Sequence, residues 1–365
     1  MINGTTQIAF IKITIMSIDS STIIELLDPV QHLRTHLDQR VRVDGRGFMD
    51  SRSLTVNSGP GEGVDKLLSF KAKKGIYGSA EVRLGGTLVC CDTTLLIGTP
   101  SPVAPDEGDL DFDVSLTGIC DPKYESFRTK HDDALDLESL LTSVFIDGRI
   151  VDLKSLGIAK GEYAFRLCVG VTVLSLDGNL QDAAILAVMT ALDDTRMPDV
   201  VFPSDLPQDK ATSVKHGQFG RTRNFPCIYA AGNQDKKLGL LALALPLTVA
   251  VFLNSDKEWD LRQAVLFVDP TKSEEGAVHS TITTVLRLPR SRSSGDEVEL
   301  CGVFGNESDD IGSSDPRLRG GSPGDYIAST EDSPDPDASG IIPAAIRLSI
   351  EHAKAIWGPR MPFLG

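Results

Sequence analysis

The stretch VLSLDGNLQDAAILAVMTAL, residues Val173 to Leu192, passes from an apolar run into a helical pattern. The apolar residues up to Leu176 are typical of a buried strand, and the small and large apolar residues from Leu180 to Leu192 are typical of a helix buried on most sides. Between them, Asp177-Gly178-Asn179 has the composition of a tight turn. The stretch therefore predicts a strand, a turn and a helix that share one core.

Two carboxylates in this stretch, Asp177 and Asp182, raise the question of whether the chain is an enzyme. As a catalytic pair they would hold a metal ion or move a proton. As structural residues, Asp177 would begin the turn, and Asp182 would lie in the first turn of the helix, where the helix dipole favours negative charge. The residues around them decide between these interpretations.

The composition predicts a globular protein. The chain has 365 residues, of which 41% are hydrophobic, enough to form two domains with cores. A net charge of -15 argues against an autonomous nucleic-acid-binding protein, which needs a basic face. Between residues 293 and 340 there are twelve acidic residues against two arginines. That region is also rich in Gly, Pro and Ser, so we predict a disordered acidic insertion at about residues 305–340.

Neither apolar run has the features of a secretory signal or a membrane span. The run from Ile8 to Met16 is interrupted by Lys12 and lacks a basic leader, so we expect no signal peptide. The run from Leu238 to Leu253 is too short to cross a bilayer and contains Pro246, which predicts a strand, a turn and a strand. The six cysteines show no C-x-x-C spacing, and those with apolar neighbours resemble small core residues. This pattern fits a reducing compartment.

The remaining periodicities predict strands that alternate with helices, and hairpins among them. We expect helices within residues 17–41, 135–146 and 342–357, a hairpin over 77–97 that turns at Gly85-Gly86, and strands over 53–56, 165–176, 263–268, 279–288 and 298–304. This order of elements favours mixed sheets covered by helices.

Three short motifs match functional patterns but lack the required context. GGSPG, from Gly320 to Gly324, would need a strand before its serine to act as a hydrolase nucleophile elbow. His32 and His36 lie one helical turn apart, but no Cys or carboxylate nearby completes a metal site. GPGEG, from Gly59 to Gly63, lacks the Lys-Ser/Thr of a phosphate loop.

An ordered set of segments resembles the RNase PH-like proteins that form the hexameric ring of the RNA exosome. The set consists of RVDGR (42–46) followed by Arg52, GSAEVRLGGTLVCC (78–91), APDEG (104–108), VDLKSLGI (151–158), LDGNLQDAAILAVMTAL (176–192) and VLFVDPTKSEE (265–275). The resemblance implies an α+β fold with two RNase PH-type domains, each a mixed or antiparallel sheet packed with helices. We expect an N-terminal extension and helix at residues 1–44, domain 1 at 45–215, and domain 2, with the acidic insertion, at 216–365.

The resemblance also implies that the phosphorolytic site is absent. Active bacterial relatives carry D-x-D-x-x-x-x-D-G-G-T-R, and among its carboxylate, hydroxyl and arginine positions only Asp177, before Gly178, is matched in this chain. The two upstream carboxylates fall on Gly170 and Thr172, and the hydroxyl-arginine pair falls on Leu180 and Gln181. The helix at 132–146 carries Ser139 and Ser143 in place of arginines, among acids that repel phosphate.

The resemblance therefore implies a non-catalytic ring subunit with no catalytic residue, cofactor or metal. The expected partners are other RNase PH-like subunits in a hetero-hexameric ring, cap subunits, and RNA that passes through the assembled channel, with no membrane. The alternative is an active phosphate-dependent 3′-to-5′ exoribonuclease. Lys123, Arg128 and Lys130, in DPKYESFRTK, are candidate RNA contacts, although a short basic loop is more often simply solvated. The expected location is the nucleus and nucleolus, and also the cytoplasm.

Overall fold

The computed structural model describes residues 24, 27–59, 75–125, 130–198, 200–201, 227–228, 236–253, 264–290, 299–307 and 341–357. The helices are α1 (Pro29–Asp38), α2 (Asp132–Thr142), α3 (Leu180–Asp194), α4 (Lys272–Glu275) and α5 (Ile341–Trp357). The strands are β1 (Leu54–Ser58), β2 (Ile76–Leu84), β3 (Thr87–Gly98), β4 (Asp109–Ser115), β5 (Gly157–Ala159), β6 (Tyr163–Ser175), β7 (Arg196–Met197), β8 (Val200–Val201), β9 (Cys227–Ile228), β10 (Lys236–Lys237), β11 (Ala242–Leu253), β12 (Ala264–Val268), β13 (Ser280–Pro289) and β14 (Glu299–Glu307).

The first sheet has six strands in the order β1-β2-β3-β6-β4, with β5 beside β6. All pairings are antiparallel except that of β4 with β6. The predicted hairpin is confirmed, since β2 and β3 join at Gly85, whose positive φ of +57° favours glycine. Apolar and polar residues alternate along these strands, so that one face is buried.

Helix α3 lies between the first sheet and β11 of the second, packing against β2, β3 and β11. The helix therefore has no fully exposed side, which explains why its sequence lacks a polar face. Eleven consecutive residues, Asp182 to Leu192, are buried. The predicted strand, turn and buried helix are confirmed.

The second sheet is antiparallel, with the order β12-β11-β13-β14, and α5 packs on β11 and β13. The prediction that Pro246 would break this region into two strands is wrong, because β11 continues through it and Pro246 pairs with Val285 of β13. On its other side β11 pairs with β12 only from Val249 onward. The backbone of Thr248 forms its hydrogen bonds on that other side. Its N–H donates to the carboxylate of Asp182, and its C=O accepts from the N–H of Asp269. Pro246 has the same orientation, so its missing N–H faces the unpaired side.

Two further expectations are corrected or limited by the structure. Strand β14 extends to Glu307, two residues beyond the expected start of the acidic insertion at about 305. Residues 308–340, most of the N-terminal segment, the loop at 60–63, and the predicted domain boundary at 215–216 lie outside the described residues. Of the five cysteines whose burial is described, only Cys91 is fully buried. Among the described helices, none is both long and apolar enough to cross a membrane.

Candidate functional site

The candidate site is the junction where the turn after β6 meets the loop after β12 and the segment 42–52. Three residues there have left-handed backbones: Gly178 with φ +79°, Asn179 with φ +51° and Asp269 with φ +51°. A Cβ atom on Gly178 would lie 2.5 Å from the backbone N of Lys272 and 2.7 Å from the carbonyl oxygen of Pro270. The turn thus requires glycine both for its backbone conformation and for this close approach.

Asp269 lies at the centre of the junction and is almost fully buried. Arg52 donates from its side chain to both carboxylate oxygens, at 2.8 and 3.0 Å, and from its backbone N–H at 2.7 Å. Arg46 and Asn179 each donate one further bond, at 3.1 and 2.8 Å. Burial raises the pKa of Asp269, but the bonds and charge of Arg52 outweigh it and hold that pKa below its usual value. The carboxylate is therefore saturated and ionised.

Arg42 is fully buried beside this centre. Its guanidinium donates to both oxygens of Glu274, from Nε at 2.9 Å and from a terminal nitrogen at 2.5 Å, and lies over the ring of Phe267 at 4.8 Å. It also donates to the carbonyl oxygens of Val268 and Asp269. Such a bidentate, fully bonded arginine fixes the segment 42–52 against the second sheet.

Asp182 has a larger role than the one predicted for it. It lies in the first turn of α3, as expected, but its carboxylate is buried and accepts bonds from the Thr248 backbone N–H at 3.0 Å and hydroxyl at 2.8 Å. Asn179 donates to it as well, at 2.9 Å. Burial raises the pKa of Asp182 to about 6, although these bonds oppose the rise. Asp182 therefore joins α3 to β11.

Asp177 does not form a catalytic pair with Asp182. Its carboxylate is 49% exposed and lies 3.4 Å from Arg52, whereas that of Asp182 is sealed in the interior. The turn itself is held by Thr87, whose hydroxyl donates to the carbonyl oxygen of Gly178 at 2.7 Å and accepts from the N–H of Asp177 at 2.9 Å. These contacts agree with the structural interpretation of the turn.

Glu275 is the other carboxylate at the opening of the junction. It accepts a bond of 2.6 Å from the backbone N–H of Asn179. Burial raises its pKa to about 7, and the bond from Asn179 and the charge of Arg52 only partly oppose this. Within the described residues no group of three His, Cys, Asp or Glu side chains is placed to hold a metal ion.

The junction offers little chemistry toward a phosphate. Arg42 and Arg52 direct their donors to buried carboxylates and backbone carbonyl oxygens, and Arg46 is paired with Asp44 and Asp269. A phosphate would have to break these bonds before it could bind. The arginines of RVDGR and Asp269 of VDPT thus form a structural network, a role that the motifs themselves did not indicate.

The positions where the active family motif carries functional residues lie on several elements. Gly170 lies on β6, in register with Asp92 of β3 and Asp113 of β4, on the sheet face opposite α3. Leu180 and Gln181 begin α3. Ser139 lies in α2, and Ser143 in the π-helical turn that follows. Among the residues that the structure describes, no set of arginines lies at these positions.

The candidate RNA contacts lie beside carboxylates. Lys123 pairs with Asp133 at 3.0 Å, and its ammonium lies over the ring of Tyr124 at 4.6 Å. Lys130 pairs with Asp113 at 2.7 Å and also with Glu138. Arg128 lies outside the described residues. The two described lysines are therefore already neutralised locally, and their role in RNA binding stays a prediction.

Comparison with known proteins identifies the family of the chain. Residues 52–198 match the model of the 3′ exoribonuclease family, domain 1, also called RNase PH. Rrp42 of the Methanopyrus kandleri exosome complex is 32% identical over 157 residues, which span 43% of this chain and 54% of that protein. Rrp42 of Pyrobaculum aerophilum is 30% identical over 253 residues, 69% of this chain and 77% of that protein. RRP45A of Arabidopsis thaliana is 30% identical over 251 residues, 68% and 69% respectively.

Solved structures share the fold. An archaeal exosome core chain superposes with a TM-score of 0.56 at 20% identity, covering 91% of this chain and 96% of that one. A chain of the Archaeoglobus fulgidus exosome with RNA bound to the active site gives 0.54 at 21% identity, covering 81% and 92%. The first relatives are matched over only part of their length, the Methanopyrus protein over about half. The family model and the long alignments with exosome components together show that the chain belongs to the RNase PH family of exosome-type 3′ exoribonuclease proteins.

Proposed function

We propose that the chain is a non-catalytic subunit of an exosome-type ring and supports 3′-to-5′ RNA processing by shaping the channel through which RNA passes. The observation that carries this proposal is the closed junction, in which Arg42 and Arg52 are bound to Glu274 and Asp269. A phosphorolytic site needs free arginines to hold phosphate and positioned groups to stabilise developing charge. In this chain the arginines of the junction are used to hold the protein together.

The proposed partners follow from the family. They are other RNase PH-like subunits in a hetero-hexameric ring, cap subunits, and RNA inside the assembled channel. Similarity to Rrp42 and RRP45 components of exosome complexes supports assembly with relatives of the same fold. We also propose nuclear, nucleolar and cytoplasmic locations, which imaging of the tagged chain would test.

The proposed subtype is that of the ribosomal RNA-processing protein 43. The leading segment DPVQHLRTHLDQRVRVDGR, residues 28–46, and the segments APDEG and CDPKYESF support it by resemblance. The relatives described above are of the Rrp42 and RRP45 types, so the family alone does not separate the three. Reconstitution with each possible ring neighbour would test the proposed subtype.

The decisive activity test uses the pure chain with single-stranded RNA, inorganic phosphate and Mg²⁺. We expect no release of nucleoside diphosphates. The alternative function, an active phosphorolytic exoribonuclease, would draw on the exposed carboxylate of Asp177. Release of nucleoside diphosphates by the wild-type chain that is lost in Asp177→Asn would establish the alternative and reject the non-catalytic proposal.

Assembly is tested separately by mixing the chain with RNase PH-like partners and measuring mass by sedimentation. A stable monomer that associates with no such partner would reject the ring proposal even if the chain were inactive. A soluble complex of defined stoichiometry is the expected result, since permanent interfaces bury on the order of 2,000 Å² or more.

A further inference from the structure

A group of four cations lies where the segment 236–241 crosses two other parts of the chain. We call Lys154, Arg196, Lys236 and Lys237 the cationic strip. Lys236 and Lys237 form β10, which pairs antiparallel with Met197 and Arg196 of β7. Further along, the carbonyl oxygen of Gly239 accepts from the N–H of Asp152 at 2.8 Å, two residues before Lys154. Backbone pairing thus brings the four positions onto neighbouring stretches of the chain, with Lys236, opposite Met197, leaving the ribbon on the other side from Lys237.

The strip contains an unfavourable juxtaposition. Lys237 lies directly opposite Arg196 in the antiparallel register, so that both side chains leave the ribbon on the same side. Like charges in this position repel each other and destabilise the pairing unless an anion lies between them. Lys154, Lys236 and Lys237 are exposed and Arg196 is half-buried, so an anion can reach them from solvent.

The described carboxylates nearest to the strip in the sequence form no ion pair with it. Asp193 pairs with Arg290, Asp194 accepts from the N–H of Ser79, and Asp152 accepts from the N–H of Lys154. None of the four cations of the strip forms an ion pair with another residue that the structure describes. By contrast, Lys123, Lys130, Arg166 and Lys272 each have a carboxylate partner. Among the described residues, the four cations of the strip therefore have no ion-pair partner, in a chain whose net charge is -15.

We propose that the cationic strip binds the phosphate backbone of single-stranded RNA. This deepens the proposed function and rests on it. Adjacent β-strands lie about 4.8 Å apart, so three neighbouring backbone stretches span about 10 Å, enough to follow a short piece of a flexible polyanion. Lys and Arg contacts to phosphate position a nucleic acid without reading its bases, so the strip binds RNA independently of sequence and in a strongly salt-dependent manner.

The test measures binding of a fluorescent oligouridine of about 20 nucleotides, longer than the site of about 4 to 16 nucleotides of a single-strand-binding module. Binding by the full chain is measured alone and with ring partners, over a range of salt concentrations. The strip variant carries Lys154→Gln, Arg196→Gln, Lys236→Gln and Lys237→Gln. The matched control carries Arg40→Gln, Arg83→Gln, Lys160→Gln and Arg347→Gln, four exposed cations scattered over other elements, and changes the net charge by the same amount.

We expect the strip variant to bind RNA at least about tenfold more weakly at low salt, while the control changes by about twofold or less. The slope of log K against log salt should fall in magnitude by about 2 to 3 in the strip variant, since each single-strand phosphate contact contributes about 0.7. Equal slopes for the strip variant and the control would overturn the proposal, as would no measurable RNA binding by the wild-type chain in either state.

The outcomes separate this proposal from the proposed function. If no ring forms but RNA binding by the chain depends on the strip, the ring proposal fails and the strip proposal stands. If a ring forms and the strip variant behaves like the control, only the strip proposal fails. If polyglutamate of equal charge binds the wild-type chain more tightly than RNA does, the strip binds an acidic protein instead. That result would also overturn the proposal.

Discussion

The carboxylate of Asp182 accepts both the backbone N–H and the hydroxyl hydrogen bond of Thr248, and so ties the first turn of α3 to the middle of β11. The two residues are 66 positions apart in the sequence. Thr248 continues the chain of bonds to Thr283 of β13 at 2.9 Å. One carboxylate thus links the helix at the centre of the molecule to two strands of the second sheet.

The raised pKa of Asp182 predicts an unusual pH dependence of stability. Its folded pKa of about 6 lies above the ordinary value of 3.8, so between these values the folded state binds more protons than the unfolded state. The free energy of unfolding should therefore fall as pH rises from about 4 to about 6, by roughly 3 kcal/mol from this residue. Urea denaturation at about pH 4.5 and about pH 7.5 measures the free energy of unfolding across most of this window. Its fall between the two pH values should be smaller in Asp182→Asn than in the wild type. Asp177→Asn is the control, and an identical fall in Asp182→Asn and wild type would contradict the prediction.

Removal of Arg42 should strongly destabilise the chain. Arg42→Met leaves the carboxylate of Glu274 buried without its partner, and breaking a buried pair in this way costs about 3 to 5 kcal/mol. The double variant Arg42→Met/Glu274→Met should recover most of the loss, since no isolated charge remains. The exposed Arg40→Met serves as the control in chemical denaturation. A single variant as stable as that control would show that the pair contributes little.

A comparison of two glycines separates backbone conformation from close packing. Gly161 and Gly178 both have positive φ, +76° and +79°, but a Cβ atom on Gly178 would lie within 3 Å of backbone atoms, whereas one on Gly161 would meet open space. Gly161→Ala should cost about 1 to 2 kcal/mol for its left-handed backbone. Gly178→Ala should cost about 1 to 3 kcal/mol more because it pushes the 270–272 loop away. Equal thermal shifts for the two variants would refute a role for this close approach.

Deletion of residues 313–334, which leaves eleven residues between β14 and α5, should leave assembly and stability nearly unchanged. Residues 308–340 contain eight acidic residues against two arginines, and closing a shorter connection between β14 and α5 changes the loop entropy only slowly with length. Sedimentation with ring partners and the Tm of the deleted chain are the measurements. Loss of assembly, or a Tm lower by more than a few degrees, would show that this segment contributes to an interface or to the core.

The local elements could be predicted from the sequence because their periodicities are strong. The hairpin at Gly85, the buried strand β6 and the buried helix α3 all follow from alternation or from continuous apolar runs. Pro246 misled the prediction because proline ends most strands, and only the register shows that its missing donor faces the unpaired side of β11.

The junction could not be predicted to the same extent. Arg42 and Glu274 are separated by 232 positions, and no local pattern indicates that two such distant charges meet in the interior. The composition of Asp177-Gly178-Asn179 indicates a turn, but its contacts with Thr87 and Asp269 depend on how the sheets pack. The same holds for Lys123 and Lys130, whose carboxylate partners come from α2 and β4.

The side of β11 that β12 leaves unpaired cannot accept a further strand. Pro246 offers no donor there, and the donor and acceptor of Thr248 are occupied by Asp182 and Asp269. A foreign strand that approached this margin would find two consecutive docking positions already blocked, one by a missing hydrogen and one by the chain's own bonds. The protein thus prevents the addition of another strand on this side of β11. Any association of this sheet with another chain must use its other surfaces.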